Sequence, residues 1–424
     1  MFFKSIFKVG FITLISRVLG LIRDTTTAIF LGASAYSDAF IIAFKLPNVF
    51  RRLFAEGSLN SVFVPIFTEL INTSGEQEAK KFSNEIFTIL VISLFILIML
   101  MEVFMPYVLL AIAPGFNIKH KEEYELAITL TRITLPYLFF ISLASVYASI
   151  LNSFKYFSMV AALPFILNIV VVAFFWLSKL INFGTSSAYF GSIGITVAGV
   201  LQFLLMFFCV YRLNWKLVFV SLKRVSQATK SFFKRVIPVV ITAGIYQINV
   251  FIDLTIASWL GEGSITYLYY GDRLNQLPLA IIGIATSTVI VPFIVSSNSK
   301  KEDSFSIKSN AILYGILLGL PAVLAFLVLG KEIITMLFNY GKFDEVSVKY
   351  TYYVLCFYAL GLIPNILIKI IVAIFYAESD GKTPFYVNLS ILIINTVLAI
   401  ILAIYIGVVG IALATAISSC LSVV

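Results

Sequence analysis

Residues 16–24 read S-R-V-L-G-L-I-R-D, and residues 37–57 read S-D-A-F-I-I-A-F-K-L-P-N-V-F-R-R-L-F-A-E-G. Arg17, Arg23, Asp24, Asp38, Lys45, Arg51, Arg52 and Glu56 therefore stand among Ile, Leu, Phe, Val and Ala. The apolar runs around them are long enough to span a bilayer, which a helix of about 20 residues does. A charge at mid-bilayer costs about 2.5–3.5 kcal/mol on insertion scales. Such side chains face a protein interior or a water-filled cavity and mark what the protein handles. The excess here is cationic, so an anionic cargo or headgroup is expected.

Composition supports the membrane reading. The chain of 424 residues is 60% hydrophobic and 12% charged, with mean hydropathy +1.02. A soluble domain carries about 25% charged residues. Lys4 and Lys8 precede the first apolar run, and no small-residue cleavage site follows it. That run is read as a retained helix, not a signal peptide. Cys209, Cys356 and Cys420 all fall in apolar spans, which excludes a disulfide framework. The single histidine, His120, lies in a polar loop. Zinc sites and Ser-His-Asp chemistry have almost no material. No G-x-x-x-x-G-K-[ST] phosphate loop occurs, which argues against an ATP-driven pump within this chain.

Twelve spans are expected, at 6–31, 36–71, 83–112, 124–152, 160–180, 189–211, 232–259, 267–295, 308–329, 346–377, 384–404 and 408–424. With the N-terminus inside, the outer loops carry only Lys119, Lys121, Lys331 and Lys342, while sixteen Lys or Arg fall in cytoplasmic segments. The positive-inside rule thus places the N-terminus in the cytoplasm. The chain divides into an N-lobe at 1–213, a basic cytoplasmic linker at 214–231 and a C-lobe at 232–424. The linker is read as a topology determinant, with binding of acidic headgroups as the alternative.

The halves share a pattern. D-x-T-x-A-x-x-L-G occurs at Asp24–Gly32 and again at Asp253–Gly261, an offset of 229 residues. Leu46-Pro47 has a counterpart in Leu277-Pro278, and Val64-Pro65 in Val291-Pro292. Six expected spans separate the copies, and an even number keeps them in the same orientation. The expectation is two parallel six-helix bundles, all α, around a central cavity. Repeats of this kind hold substrate near the midplane in transporters.

Candidate binding residues follow from the intramembrane charges. Arg17 and Arg23 are six apart on one helix, nearly two turns, and lean to similar sides. Guanidinium forks bind phosphate oxygens bidentately, which suits a diphosphate. The alternative for Arg23 is pairing with an acidic neighbour. Asp38 and Lys45 share a face, Arg52 and Glu56 can pair along the helix, and Pro47 should bend it. Arg51 is read as snorkelling to the interface. The second half offers Y-Y-G-D-R-L at 269–274, where Arg273 is a substrate contact and Asp272 could hold it in position. Asp253 is a candidate for a coupling cation or proton, with a partner role for Arg273 as the alternative. Arg132 and Lys369 are read as structural or interfacial.

These blocks, with F-N-Y-G-K-F at 338–343 and D-G-K-T-P at 380–384, resemble the MurJ (MviN-type) lipid II flippase family. That family belongs to the multidrug/oligosaccharidyl-lipid/polysaccharide exporter superfamily. The resemblance runs from the first helix to the end of the chain. It implies alternating-access transport of the undecaprenyl-diphosphate-linked peptidoglycan precursor, lipid II, from inner to outer leaflet of the bacterial inner membrane. No bond is made or broken, so no enzyme is expected, nor a nucleic-acid partner, and the protein is expected to be monomeric. The family's essential arginines correspond to Arg17, Arg23, Arg52 and Arg273, with Asp38 and Glu56 at further charged positions. Some members bind sodium, which would place ligands at Asp253, Asn395 and Thr415. The acidic ligand expected one turn after Asn395 is Ala399 here. Coupling to sodium or to the membrane potential is the cofactor-level expectation. Family members have fourteen helices, so a chain ending at Val424 is expected to be truncated before helices 13 and 14. The alternatives are an exporter of another anionic lipid-linked oligosaccharide, or a noncatalytic membrane scaffold of the same fold. A drug exporter would favour an acidic cavity, which the arginine excess opposes.

Overall fold

The computed structural model describes residues 2–52, 58–119, 121–181, 186–284, 286–287, 289–290, 294, 305–378, 380 and 382–423. Glu56, His120 and Val291-Pro292 lie outside the described residues. Among those described there is no strand.

The helices run in order α1 Phe2–Leu31, α2 Ala35–Arg51, α3 Ser58–Thr73, α4 Glu76–Val103, α5 Met105–Ile112, α6 Pro114–Lys119, α7 Lys121–Thr134, α8 Pro136–Ser153, α9 Phe157–Ala161, α10 Leu163–Ile181, α11 Ser187–Tyr211, α12 Gln227–Ala257 and α13 Ser264–Pro278. A π-helical turn, Leu279–Ile284, follows. Then come α14 Phe305–Phe338, α15 Glu345–Leu360, α16 Leu362–Ala377, α17 Lys382–Ile406 and α18 Val408–Leu421.

Several expected spans are two helices end to end. The breaks fall at Phe104, Leu135, Ala162 and Gly361. Each is followed within three residues by Pro106, Pro136, Pro164 or Pro364. Proline lacks the amide hydrogen, so it fits the first turn of a new helix and ends the old one. The pair α15 and α16 bends by 44° at its break.

Among the described residues, six helical stretches are long and apolar enough to cross a membrane unaided, or seven if the bent pair counts as one span. Helices α1, α2, α12 and α13 carry Arg17, Arg23, Asp38, Lys45, Asp253, Asp272 and Arg273.

The chain clusters into two compact units. The first comprises Met1–Leu31, Ala39–Ala111 and His120–Gln247; the second comprises Gly32–Asp38, Ile112–Lys119 and Ile248–Val424. The basic segment 214–231 clusters with the first unit. Both copies of the repeated pattern end a long helix: α1 closes at Leu31 and α12 at Ala257. In each case a left-handed glycine precedes the next helix, Gly32 at φ 65° and Gly263 at φ 82°.

Aromatic side chains build the interior of the first unit. Phe63, Phe67 and Phe82 stack at 5.1–5.3 Å, and Trp215 meets Phe67 at 5.1 Å and Phe154 at 5.6 Å. In the second unit Tyr270 lies 4.6 Å from Phe338 and 5.4 Å from Phe343. Two sequence motifs, Y-Y-G-D-R-L and F-N-Y-G-K-F, therefore meet through their aromatic residues. The D-G-K-T-P motif is a helix cap. Asp380 Oδ1 accepts from the Lys382 and Thr383 amides at 2.9 and 3.1 Å, and Oδ2 accepts from Thr383 Oγ1 at 2.6 Å. The Thr383 bonds hold the Asp380 carboxyl below the usual carboxylate range. Asp344 caps α15 in the same way through Ser347.

Candidate functional site

Each unit carries its own cluster of intramembrane charges. In the first, Arg23 on α1 is buried and fully engaged. Its Nη2 and Nε donate to Asp24 Oδ1 at 2.6 and 3.2 Å. Nη1 donates to Asn168 Oδ1 on α10 at 3.2 Å. The guanidinium carbon sits 4.7 Å from the centre of the Phe44 ring. Asn168 is itself held, its Nδ2 donating to the Ser16 carbonyl at 3.2 Å. The arginine is thus oriented by a carboxylate, an amide and an aromatic face, which fix it in place within the buried interior.

Arg17 lies six residues earlier on α1 and is exposed. Lys45 on α2 is half-buried, and Arg52, just after α2, is exposed at the last described position before residue 58. Arg51 is half-buried, and its Nε donates to Asn48 Oδ1 at 3.1 Å. Asn48 Nδ2 in turn donates to the Phe44 carbonyl at 2.7 Å. Pro47 lies inside α2. Glu56 falls outside the described residues.

In the second unit Asp38 occupies a different setting from the one its helical face suggested. Its side chain is buried, with Oδ2 accepting from the Gly263 amide at 2.8 Å. Oδ1 accepts from the Thr266 amide at 2.8 Å and from Thr266 Oγ1 at 2.6 Å. Ser37 Oγ adds a contact to Thr266 Oγ1 at 2.9 Å. Gly263 is the N-cap residue of α13 and makes no side-chain cap of its own. Asp38 supplies that cap from a segment more than 220 residues away. A carboxylate there satisfies orphan amides and faces the positive end of the helix dipole. Farther along α13, Asp272 Oδ2 accepts from Gln276 Nε2, one turn on. Arg273 beside it is half-buried.

Sequence reading did not find Asn168, Gly263 or Thr266. Nothing local marks them, because each matters only through a partner distant in the chain.

A model of the family described as "Lipid II flippase MurJ" matches residues 27–424. The chain belongs to the MurJ family. A probable lipid II flippase MurJ of Rickettsia prowazekii (strain Madrid E) is 39% identical over 424 residues, covering 98% of this chain and 81% of the relative. The lipid II flippase MurJ of Burkholderia cenocepacia is 33% identical over 430 residues, covering 99% and 82%. A solved lipid II flippase MurJ in an inward closed conformation superposes with TM-score 0.86 at 27% identity, covering 98% of this chain and 85% of that one. An inward-facing multidrug MATE transporter of the MOP superfamily gives TM-score 0.75 at 17% identity, covering 99% and 95%. That likeness concerns the fold alone.

Of the three residues that the MurJ resemblance implies for sodium, Asn395 and Thr415 lie side by side. Asn395 Nδ2 lies 3.5 Å from Thr415 Oγ1. Asn395 Oδ1 is buried with no hydrogen-bond partner among the described residues. Thr415 Oγ1 donates to the Ile411 carbonyl at 3.1 Å. Ala399, one turn on, is fully buried and adds no donor. Among the described residues no group of three or more His, Cys, Asp or Glu could hold a metal. Asp253, the third residue of that implied set, lies on α12 and is half-buried.

Proposed function

We propose that this MurJ-family chain is a lipid II flippase of the bacterial inner membrane, with its N-terminus in the cytoplasm. The carrying observation is the family match over residues 27–424, on a chain whose charge-bearing helices are rich in arginine. The headgroup enters from the cytoplasm, and Arg17, Arg23, Arg52 and Arg273 neutralise its diphosphate. Lys45 adds positive charge. Arg23 must exchange Asp24 or Asn168 for phosphate oxygens to do this, since both already accept from its guanidinium. Alternating access then exposes the headgroup outside while the polyprenyl tail stays in lipid. No covalent step is involved.

Complementation of a bacterium depleted of its own lipid II flippase tests the reading. The chain is expected to restore growth, and an Arg17→Ala/Arg273→Ala double variant at equal membrane level is expected not to. Rescue by both would remove the arginines from the mechanism. Failure of both, with lipid-linked oligosaccharides of another class transported in vesicles, would assign the chain to a related exporter.

Energy comes from the membrane potential in this scheme. Moving an anionic headgroup outward, in the direction an inside-negative potential drives it, releases about 2.3 kcal/mol per elementary charge per 100 mV. In vesicles, imposing that potential is expected to speed transport. Exchanging sodium for potassium at constant potential is expected to leave the rate unchanged, and a sodium-dependent rate would assign coupling to a cation site at Asp253, Asn395 and Thr415.

A further inference from the structure

Glu85 is a buried carboxylate that the transport scheme does not use. It lies on α4, 2% exposed. Its Oε2 accepts from the Ser226 amide at 3.0 Å, from Ser226 Oγ at 2.6 Å and from Thr229 Oγ1 at 2.7 Å. Oε1 accepts from the Ser226 amide at 3.2 Å. Ser226 immediately precedes α12, and Thr229 lies in its first turn. The carboxylate therefore grips the N-terminal end of α12, where orphan amides and the helix dipole favour an anion.

The residues before α12 are fastened to the same face of α4. Asn84 Oδ1 accepts from the Val218 amide at 3.0 Å, and Thr88 Oγ1 accepts from the Val220 amide at 3.2 Å. Trp215 is buried, its Nε1 donating to Ser83 Oγ at 3.3 Å, with Lys80 Nζ 5.2 Å from its ring centre. The basic linker is thus a fixed strap, and its end is the α12 cap. Helix α12 itself belongs to both units: Gln227–Gln247 clusters with the first and Ile248–Ala257 with the second. At its far end Thr255 Oγ1 donates to the Ile112 carbonyl at 2.9 Å, and Ser258 Oγ accepts from the Gly115 amide at 3.1 Å.

We infer that Glu85 is a positioning residue for transport, fixing the first turn of α12 to α4 so that the strap and the start of α12 move with α4 during turnover. The inference rests on the lipid II reading. A slipping first turn would let the start of α12 and α4 move separately. Glu85 touches neither headgroup nor tail in this scheme, so its loss should slow turnover without weakening substrate binding.

The test uses the full chain in lipid vesicles, with lipid II transport, lipid II binding and amide hydrogen exchange measured together. Glu85→Ala is expected to lower the saturated transport rate about tenfold or more while the half-saturating lipid II concentration shifts by less than about twofold. Exchange at the amides of Ser226 to Lys230 should quicken. Glu85→Gln keeps an acceptor oxygen and should recover most of the rate. If Glu85→Ala does not fold, Ser226→Ala/Thr229→Ala removes two of the donors more gently and should show the same split. A folded variant with faster exchange and an unchanged rate would overturn the inference. So would rate and binding falling together, which is the signature of general loosening. The unaltered chain in the same vesicles reports separately on the lipid II reading, since its failure to transport would leave the exchange result standing.

Discussion

Gly115→Ala is expected to prevent stable folding or to abolish transport. A Cβ at this position would stand 2.1 Å from the Ser258 carbonyl oxygen, 2.4 Å from its carbon and 2.6 Å from the Trp259 nitrogen. All three are backbone atoms, so no side-chain rotation relieves the contact. The Gly115 amide also donates to Ser258 Oγ at 3.1 Å, and the Ile112 carbonyl is tied to Thr255. Helix α6 and the end of α12 are therefore locked at close range. Overpacking costs about 1–3 kcal/mol where side chains can shift, and a backbone-on-backbone clash should exceed that. Thermal unfolding in detergent and transport in vesicles are the measurements. Gly10→Ala, with nothing within 4 Å of its added Cβ, serves as the control and should change neither. Wild-type behaviour of Gly115→Ala would mean that the α6 contact is dispensable.

Asp38→Ala is expected to destabilise the protein by about 3 kcal/mol or more, since hydrogen bonds to a charged group are worth about 1.5–3 kcal/mol each and a buried donor left unsatisfied costs about 1–3. It strips acceptors from the Gly263 amide, the Thr266 amide and the Thr266 hydroxyl. Thr266 is fully buried, so water does not readily replace the lost acceptors. Asp38→Asn keeps one side-chain carbonyl and should lose about half as much by the same reckoning. The two roles open to Asp38 differ in what else changes. A cap leaves lipid II affinity unaltered in whatever folded protein remains; a headgroup contact does not. Calorimetry of both variants beside a lipid II binding curve distinguishes them. A stable Asp38→Ala variant with weakened binding would assign the residue to the substrate.

The helical spans were legible because they are local. The run expected at 189–211 is α11 at Ser187–Tyr211, and that expected at 384–404 is α17 at Lys382–Ile406. Long apolar stretches have one stable form in a bilayer, since every backbone polar group must be satisfied within the helix. The proline-led breaks at Leu135 and Gly361 were equally local, yet were passed over by counting apolar residues alone. The Asp380 cap was present in D-G-K-T-P and readable from capping chemistry.

The charged residues were visible in the sequence, but their partners were not. Arg23 had an acidic neighbour in plain view at Asp24, and the structure uses it. Its other anchor, Asn168, is 145 residues away. Asp38 shares a helical face with Lys45, yet its carboxylate caps a helix in the other half of the chain. Glu85 meets Ser226 and Thr229, 141 and 144 residues further along the chain. The sequence by itself determined that this chain is a helical membrane protein, that its charges are concentrated in a few helices, and that it carries the MurJ blocks. Local hydrophobicity, the cost of burying charge and the absent amide of proline suffice for that. Only the tertiary structure decided which carboxylate caps which helix and which amide steadies which arginine. Those pairings are set by chain segments brought together across hundreds of residues, where hydrogen-bond geometry, not periodicity, selects the partner.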